Sequence, residues 1–158
     1  MDYSKVGQEA APFTMPADWS KIREFANATL NDDPIYFDPE YAEKTRFGGV
    51  PTPPTWVVDM LFWATPETHL DLGLVDSTQG KGGYLLHGET EWIYLKPIMA
   101  GDTLTVKTKV ADMYEKQGRR GGKMEFAVTE HTFINQHGEE CVRYLSTVIQ
   151  QWVTPPTS

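Results

Sequence analysis

The first third of the chain carries apolar residues at helical spacing. Between Asp18 and Leu30 they recur three and four residues apart, which is the period of an amphipathic helix. Asp18 is suited to cap the first turn of this helix. Asp38 followed by Pro39 marks the start of a second, short helix that ends near Lys44. The pattern therefore predicts two helices before residue 45.

A third helix is predicted to start at Thr52-Pro53-Pro54 and to end at about Thr65, because Pro66 follows. It is apolar on nearly every side, and Asp59 is its only charged residue. A helix of this kind is a buried one. In a chain of 158 residues, a sheet must wrap this helix or another subunit must cover it.

From Tyr84 onward the apolar period changes to two. Apolar and polar residues alternate through Leu104–Val110, which predicts a half-buried strand. Further strands are predicted at Tyr84–Leu95, Met124–Phe133 and Val142–Val153, with turns at Gly118–Gly122 and Asn135–Gly138. Helices followed by an antiparallel meander define an α+β fold. We interpret residues 1–158 as one domain, with its sheet curled around the long apolar helix.

Composition and charge exclude several classes of protein. The formal net charge of −8 argues against a nucleic-acid partner. Cys141 is the only cysteine, so no intrachain disulfide forms, and the four histidines lack the spacing of a zinc site. The N-terminus lacks a signal-peptide pattern, and no apolar run reaches the ~20 residues of a membrane helix. We therefore expect a cytoplasmic protein with no metal site and no membrane contact.

The segment from Ile22 to Trp56 resembles the MaoC-like (R)-specific enoyl-CoA hydratases. Residues Leu30-Asn31-Asp32-Asp33-Pro34-Ile35-Tyr36 stand where that family has a motif of roughly G-D-x-N-P-[LIV]-H. Further similarities lie at Phe37-Asp38-Pro39, Ala42, Phe47, Leu86-His87-Gly88-Glu89, Lys96-Pro97 and Ala100-Gly101-Asp102-Thr103-Leu104. The resemblance covers nearly the whole chain. It implies a hot-dog fold that acts on an acyl-CoA or acyl-carrier thioester as substrate and needs no cofactor.

Positions that the resemblance assigns to catalysis are changed in this sequence. In the family, the Asp and His of the motif activate the water that adds to the enoyl double bond. Asn31 replaces the Asp and cannot ionise, and Tyr36 replaces the His with a phenol whose reference pKa is near ~10. Pro53 and Pro54 replace a His-Gly whose backbone N–H is thought to polarise the thioester carbonyl, and Pro54 has no N–H to donate.

These changes make the chain similar to the non-catalytic half of two-part members of the family. The resemblance implies an accessory, acyl-binding subunit of a heteromeric enoyl-CoA hydratase or 3-hydroxyacyl-thioester dehydratase. A partner hot-dog subunit would supply the Asp and His. We expect Trp56, Phe62, Trp63 and His87 to bind the substrate, together with Trp92, because aromatic side chains suit the lining of an acyl pocket. The acyl group could be a fatty chain, a sterol side chain or a short dicarboxylate.

Two other functions stay open. One is a homo-oligomeric hot-dog thioesterase that uses Asp59, because several such enzymes place an acidic group on the central helix. Burial would raise the pKa of this carboxyl, although a paired carboxylate at a dimer seam is the structural alternative. The other is an acyl-CoA binding module without catalytic activity.

The remaining charged candidates have simpler interpretations. Asp32 and Asp33 are interpreted as loop carboxylates, with Asp33 at a turn-shaping position before Pro34. His87 is interpreted as a hydrogen-bonded structural histidine unless a ligand reaches it. The cluster of Arg119, Arg120 and Lys123 either meets CoA phosphates or forms a solvated hairpin tip.

Overall fold

Five antiparallel strands form a sheet in the computed structural model, which describes residues 1–74, 83–118 and 122–152. The strands are β1 (Phe13–Pro16), β2 (Gly83–Tyr94), β3 (Thr103–Gln117), β4 (Lys123–Ile134) and β5 (Glu140–Trp152). Their order is β1-β3-β4-β5-β2, so β1 and β2 are the edges. The α+β fold and the four predicted strands are confirmed. Strand β1 was not predicted, because its four residues are too few for an alternation to be recognised.

The first two helices begin where the sequence predicts. Helix α1 is Trp19–Ala28, and the Asp18 carboxylate accepts a hydrogen bond from the Ser20 N–H at 2.7 Å. Helix α2 is Pro39–Glu43, and the Asp38 carboxylate caps it in the same way. Among the residues that the structure describes, no helix is long and apolar enough to cross a membrane.

The predicted long third helix is shorter than expected and differs in form. The chain makes a 3₁₀ helix at Trp56–Phe62 and a separate 3₁₀ turn at Pro66–Thr68, rather than one helix to Thr65. The run of β-branched and aromatic side chains in this segment has low helix propensity, and proline stands before and after it. Phe62 is 86% exposed, so this chain's own sheet does not cover the segment on every side, and coverage by another subunit stays a prediction.

The main core lies between the inner face of the sheet and the helices. Trp56, Val57 and Met60 of the 3₁₀ helix are buried there, and α1 contributes Ile22 and Ala26. The strands contribute Leu104, Val106, Phe133, Cys141, Val142 and Tyr144. The 3₁₀ helix therefore holds the central place in the core that the sequence analysis assigned to a longer helix.

A buried carboxylate fastens the N-terminus to the sheet. Glu125 on β4 accepts hydrogen bonds from the Trp152 indole N–H at 2.6 Å and from the Tyr3 hydroxyl at 3.1 Å. The Met1 ammonium and the Lys123 ammonium each lie 3.3 Å from the same carboxylate. Burial alone would raise the pKa of Glu125, but these donors more than offset it and lower the pKa to about 2.

The Glu125 carboxylate should therefore make stability depend on pH. Its folded-state pKa of about 2 lies below the ordinary 4.5, so its contribution is complete above pH 4.5 and is lost as the pH falls towards 2. We expect Glu125→Gln to lower the free energy of unfolding at pH 7 by about 1–3 kcal/mol, because buried donors lose a charged acceptor. Urea denaturation measures this change.

Glu115→Gln is the matched control. Glu115 also pairs with Lys123, at 2.7 Å, but it is largely exposed, so its loss should cost less than about 1 kcal/mol. The difference between wild type and Glu125→Gln should shrink between pH 5 and pH 2. An equal difference at both pH values would show that the carboxylate charge does not stabilise the fold.

Candidate functional site

The structure brings together the two residues that replace the catalytic Asp and His of the resembled family. Asn31 follows α1, where its backbone N–H donates to the Ala26 carbonyl at 2.9 Å. The Asn31 side-chain oxygen accepts from the Asp33 N–H at 3.2 Å, and Asp33 in turn caps the short 3₁₀ helix Pro34–Tyr36. This turn places the Asn31 side chain near enough to the Tyr36 phenol to lower its pKa, against the larger effect of burial.

The Asn31–Tyr36 pair is unsuited to proton abstraction at neutral pH. Tyr36 is 9% exposed, and its pKa is raised first by burial and then by the negative charge of Asp33. The phenol is therefore held in its neutral, protonated form, while the Asn31 amide has no ionisable proton. A general base must hold and release a proton near the working pH, and neither side chain does so.

Tyr36 lines a cavity of about 500 Å³, which we call the Tyr36 cavity. Pro54 also lines it, and the Pro54 carbonyl accepts a hydrogen bond from the Tyr94 hydroxyl at 3.0 Å. Arg46 and Lys96 add two cations to its wall. The sequence did not assign Arg46, Tyr94 or Lys96 to a site, since they come from separate loops and strands and show no common spacing.

The aromatic residues predicted to bind the acyl group are not gathered in one pocket. Trp56 is fully buried in the main core, and its indole N–H has no hydrogen-bond partner within the described part of the chain. Phe62 and Trp63 instead line a cavity of about 490 Å³ beside α1, together with Asp59. Trp92 stacks on Tyr144 with ring centroids 4.4 Å apart. These placements separate Trp56 from the two exposed aromatic residues that follow it.

Asp59 is half-buried beside Lys21 and Glu24 in the same cavity. Its pKa is raised by burial; Lys21 lowers it, and Glu24 raises it further. The Lys21 ammonium is itself bound to Glu24 at 2.8 Å. Asp59 therefore has the raised pKa that the sequence analysis anticipated for a buried acid on this helix.

His87 lies on edge strand β2 and is exposed, with its Nε2 atom 2.7 Å from the Thr90 hydroxyl. It lines a cavity of about 400 Å³ between the 3₁₀ helix and the inner face of the sheet, which we call the sheet cavity. Val58, Met60, Leu61 and Ala64 form its helical wall. His131 lies on the sheet side of this cavity, and burial lowers its pKa to about 4.

Sequence reasoning missed His131, although a signal for it exists. Strand β4 places Phe133, His131 and Thr129 at alternate positions, so all three lie on the inner face. A histidine at an inward position of a strand marks a polar group in the core. His131 was considered only as a possible metal ligand, which concealed that signal.

The other charged candidates have structural partners. Asp33 shapes the turn as expected, with its carboxylate accepting from the Ile35 N–H at 3.0 Å, and Asp32 is exposed. Lys123 pairs with Glu115 and Glu125. Arg119 and Arg120 lie outside the described residues. Within the described ranges, no cluster of His, Cys, Asp or Glu side chains suits a metal ion.

The α+β fold with these cavities defines a hot-dog domain of the dehydratase class. The chain belongs to the family described as FAS1-like, dehydratase domain region, whose model matches residues 4–143. A UPF0336 protein of Streptomyces avermitilis is 35% identical over 122 residues, which are 75% of this chain and 77% of that protein. The chain therefore also belongs to the UPF0336 proteins.

Solved structures of hydratases and dehydratases have a similar fold. The Mycobacterium tuberculosis HadBC (3R-hydroxyacyl-ACP dehydratase) complex matches with a TM-score of 0.73 and 22% identity, over 94% of this chain and 98% of that chain. The M. tuberculosis ChsH1-ChsH2 complex matches with a TM-score of 0.69 and 18% identity, over 96% of this chain and 89% of that chain. A MaoC-like dehydratase from Rhodospirillum rubrum matches with a TM-score of 0.66 and 20% identity, over 94% of each chain. At these identities the likeness defines the hot-dog fold.

The raised pKa of Asp59 generates a prediction about stability. A carboxyl whose folded-state pKa lies above its ordinary 3.8 destabilises the folded protein when it is charged. Asp59→Asn should therefore raise the melting temperature at pH 7 by up to a few degrees, and the gain should vanish as the pH falls below 4. Asp32→Asn, at an exposed loop carboxylate, is the control and should change little. A lower melting temperature for Asp59→Asn would mean that the charge is paired rather than desolvated.

Proposed function

We propose that this chain is the accessory, acyl-binding subunit of a heteromeric hot-dog hydratase or dehydratase that acts on acyl thioesters. The observation that carries the proposal is that one turn holds Asn31 and the buried Tyr36 at the positions of the family's Asp and His. The hot-dog turn is intact and holds these two side chains together, but neither can act as a general base. The chain thus keeps the architecture of the site and lacks its chemistry.

Similar proteins support a role in a two-part assembly. HadBC and ChsH1-ChsH2 are both described as complexes, and HadBC is described as a 3R-hydroxyacyl-ACP dehydratase. In the proposed assembly, a partner hot-dog subunit supplies the Asp and His that activate water. This chain supplies a sheet edge and a pocket for part of the acyl group.

The sheet cavity is the best candidate for that acyl pocket. Its helical wall is apolar, and it extends to His87 on the edge strand. Burial of apolar surface is the main source of affinity for an acyl chain. Among the residues predicted from sequence, His87 lines this cavity, whereas Trp56 supports the helical wall from within the core.

Two adjoining exposed surfaces suit a hot-dog partner. Within the described ranges, strand β2 pairs with β5 alone and its outer edge has no neighbour, and Tyr84, Leu85 and Leu86 on it are 44–61% exposed. Leu61 of the 3₁₀ helix is 66% exposed and Phe62 is 86% exposed. An open, apolar edge strand is a liability for an isolated subunit, and a second hot-dog sheet paired with β2 would remove it.

A thioesterase function is the second candidate, and the raised pKa of Asp59 in its cavity favours it. A carboxyl whose pKa is raised by burial is better suited to accept and return a proton than an ordinary carboxyl. Release of free thiol from an acyl-CoA by the purified chain, abolished in Asp59→Asn, would support this function over the accessory role.

The first prediction from the proposed function concerns the isolated chain. We expect it to show no measurable hydration of trans-2-enoyl-CoA, followed by the loss of absorbance of the enoyl thioester. Loss of a proton-transfer group costs about 10²–10⁴-fold, and loss of an oxyanion donor about 10²–10³-fold. Robust hydration by the chain alone, lost in Tyr36→Phe, would show that Tyr36 is catalytic.

The second prediction concerns assembly through β2. Leu86→Lys places a charge on the open edge strand, and charged edge residues oppose strand pairing. We expect the substitution to weaken association with the hot-dog partner at least tenfold in Kd, measured by analytical ultracentrifugation. Val6→Lys is the control, because Val6 is comparably exposed at 47% but lies outside the sheet. Equal effects of the two substitutions would exclude β2 as the interface.

A further inference from the structure

A row of polar and aromatic side chains crosses the inner face of the sheet beneath the 3₁₀ helix. Trp92 lies directly opposite Tyr144, Tyr144 opposite His131, and His131 opposite Thr108. Residues directly opposite one another in an antiparallel sheet share a face. The rings of Trp92, Tyr144 and His131 are stacked in succession, with centroids 4.4 and 5.3 Å apart. Three of these four residues, all except Trp92, line the sheet cavity.

Hydrogen bonds to Thr108 in this row and to Thr129 in the next favour one neutral form of His131. The Thr129 hydroxyl donates to the Ser146 carbonyl at 3.3 Å, so it must accept from His131 Nε2, which is 3.2 Å away. His131 Nδ1 is then the acceptor for the Thr108 hydroxyl at 2.9 Å. This directed chain satisfies both ring nitrogens. The imidazole therefore positions the threonines and is not itself free to bind a ligand.

Two hydroxyl groups beside this chain are free to bind a ligand. Ser146 lies opposite Thr129 in the next row of the sheet and lines the same cavity. Neither the Ser146 hydroxyl nor the Tyr144 hydroxyl has a hydrogen-bond partner in the part of the chain that the structure describes. Both groups can donate to an oxygen atom placed in the cavity.

No Asp, Glu, Lys or Arg is among the described residues that line the sheet cavity; its ionisable residues are His69, His87, His131 and Tyr144. The Tyr36 cavity, by contrast, includes Asp33, Arg46 and Lys96, and the cavity beside α1 includes Asp59. Transfer of an unpaired carboxylate into such surroundings would be strongly unfavourable. The sheet cavity therefore suits a ligand that is apolar along the helical wall and carries an uncharged oxygen at the sheet.

We infer that the sheet cavity recognises an acyl chain bearing a hydroxyl, keto or ether oxygen away from the thioester, with Ser146 and Tyr144 as the donors. The inference rests on the proposed acyl-binding function and adds the class of acyl group. It disfavours a dicarboxylate, because no Lys or Arg among the described lining residues is placed to pair with a second carboxylate. A plain hydrocarbon chain in the cavity would remove the hydroxyl groups of these polar rows from water without giving them a hydrogen-bond partner, which is unfavourable.

Calorimetric titration of the chain, in the oligomeric form in which it purifies, tests the inference. The probes are dodecanoyl-CoA, dodecanedioyl-CoA and a set of hydroxydodecanoyl-CoA isomers with the hydroxyl at successive carbons from the middle to the end of the chain. We expect at least one isomer to bind about 3- to 10-fold more tightly than dodecanoyl-CoA, which matches one net hydrogen bond. Dodecanedioyl-CoA should bind more weakly than either.

Matched variants separate recognition from folding. Ser146→Ala should abolish the preference for the hydroxylated isomer and leave the Kd for dodecanoyl-CoA within about twofold. Tyr144→Phe should reduce the preference, while Thr105→Val, on the outer face of β3, should preserve it. Nitrogen-15 NMR of His131 should show the Nε2–H form in the wild type, and this form should persist in Ser146→Ala.

The outcomes distinguish this inference from the function on which it rests. If dodecanoyl-CoA binds and no hydroxylated isomer exceeds it twofold, the inference is wrong and the acyl-binding function stands. A preference that survives in Ser146→Ala and Tyr144→Phe also overturns the inference, because another group would then recognise the oxygen. If none of the thioesters binds, both the inference and the acyl-binding function are wrong.

Discussion

The inner face of the five-stranded sheet must be covered by a small amount of helix, and much of the structure follows from this constraint. An antiparallel sheet buries one face and commonly exposes the other. Here α1 and the 3₁₀ helix Trp56–Phe62 provide the cover, with Trp56 fully buried at its centre. Because the 3₁₀ helix has only seven residues, its far end leaves apolar side chains in contact with solvent.

The same constraint explains what could be predicted from the sequence. Asp18 and Asp38 mark their helices through local chemistry, and the alternation in β3 follows from burial of one face, so these elements were predicted correctly. The form of the third helix was not predicted correctly, since an apolar run alone does not distinguish a long α-helix from a short 3₁₀ helix. The exposure of Phe62 depends on tertiary packing, which no local pattern encodes.

In the candidate site, too, the features set by local sequence could be predicted and those set by tertiary packing could not. The juxtaposition of Asn31 and Tyr36 could be anticipated, because a motif keeps its spacing even when its chemistry changes. The polar row through His131 could not be read from any motif, because it forms from residues on four strands that are opposite only in the folded sheet. A site formed by residues of one segment can thus be predicted from the sequence. A site formed by residues of several strands can be predicted only when the pairing register of the strands is known.

The central claim is that this chain binds the acyl group while a partner performs the chemistry. The most direct test measures kcat for hydration of trans-2-enoyl-CoA by the assembled complex. One variant carries Asn31→Ala and Tyr36→Phe in this chain, and the other replaces the Asp of the partner's dyad with Asn. We expect the first variant to keep kcat within about threefold and the second to lose about 10²–10⁴-fold. Loss of turnover in the first variant, with the second still active, would show that this chain performs the chemistry.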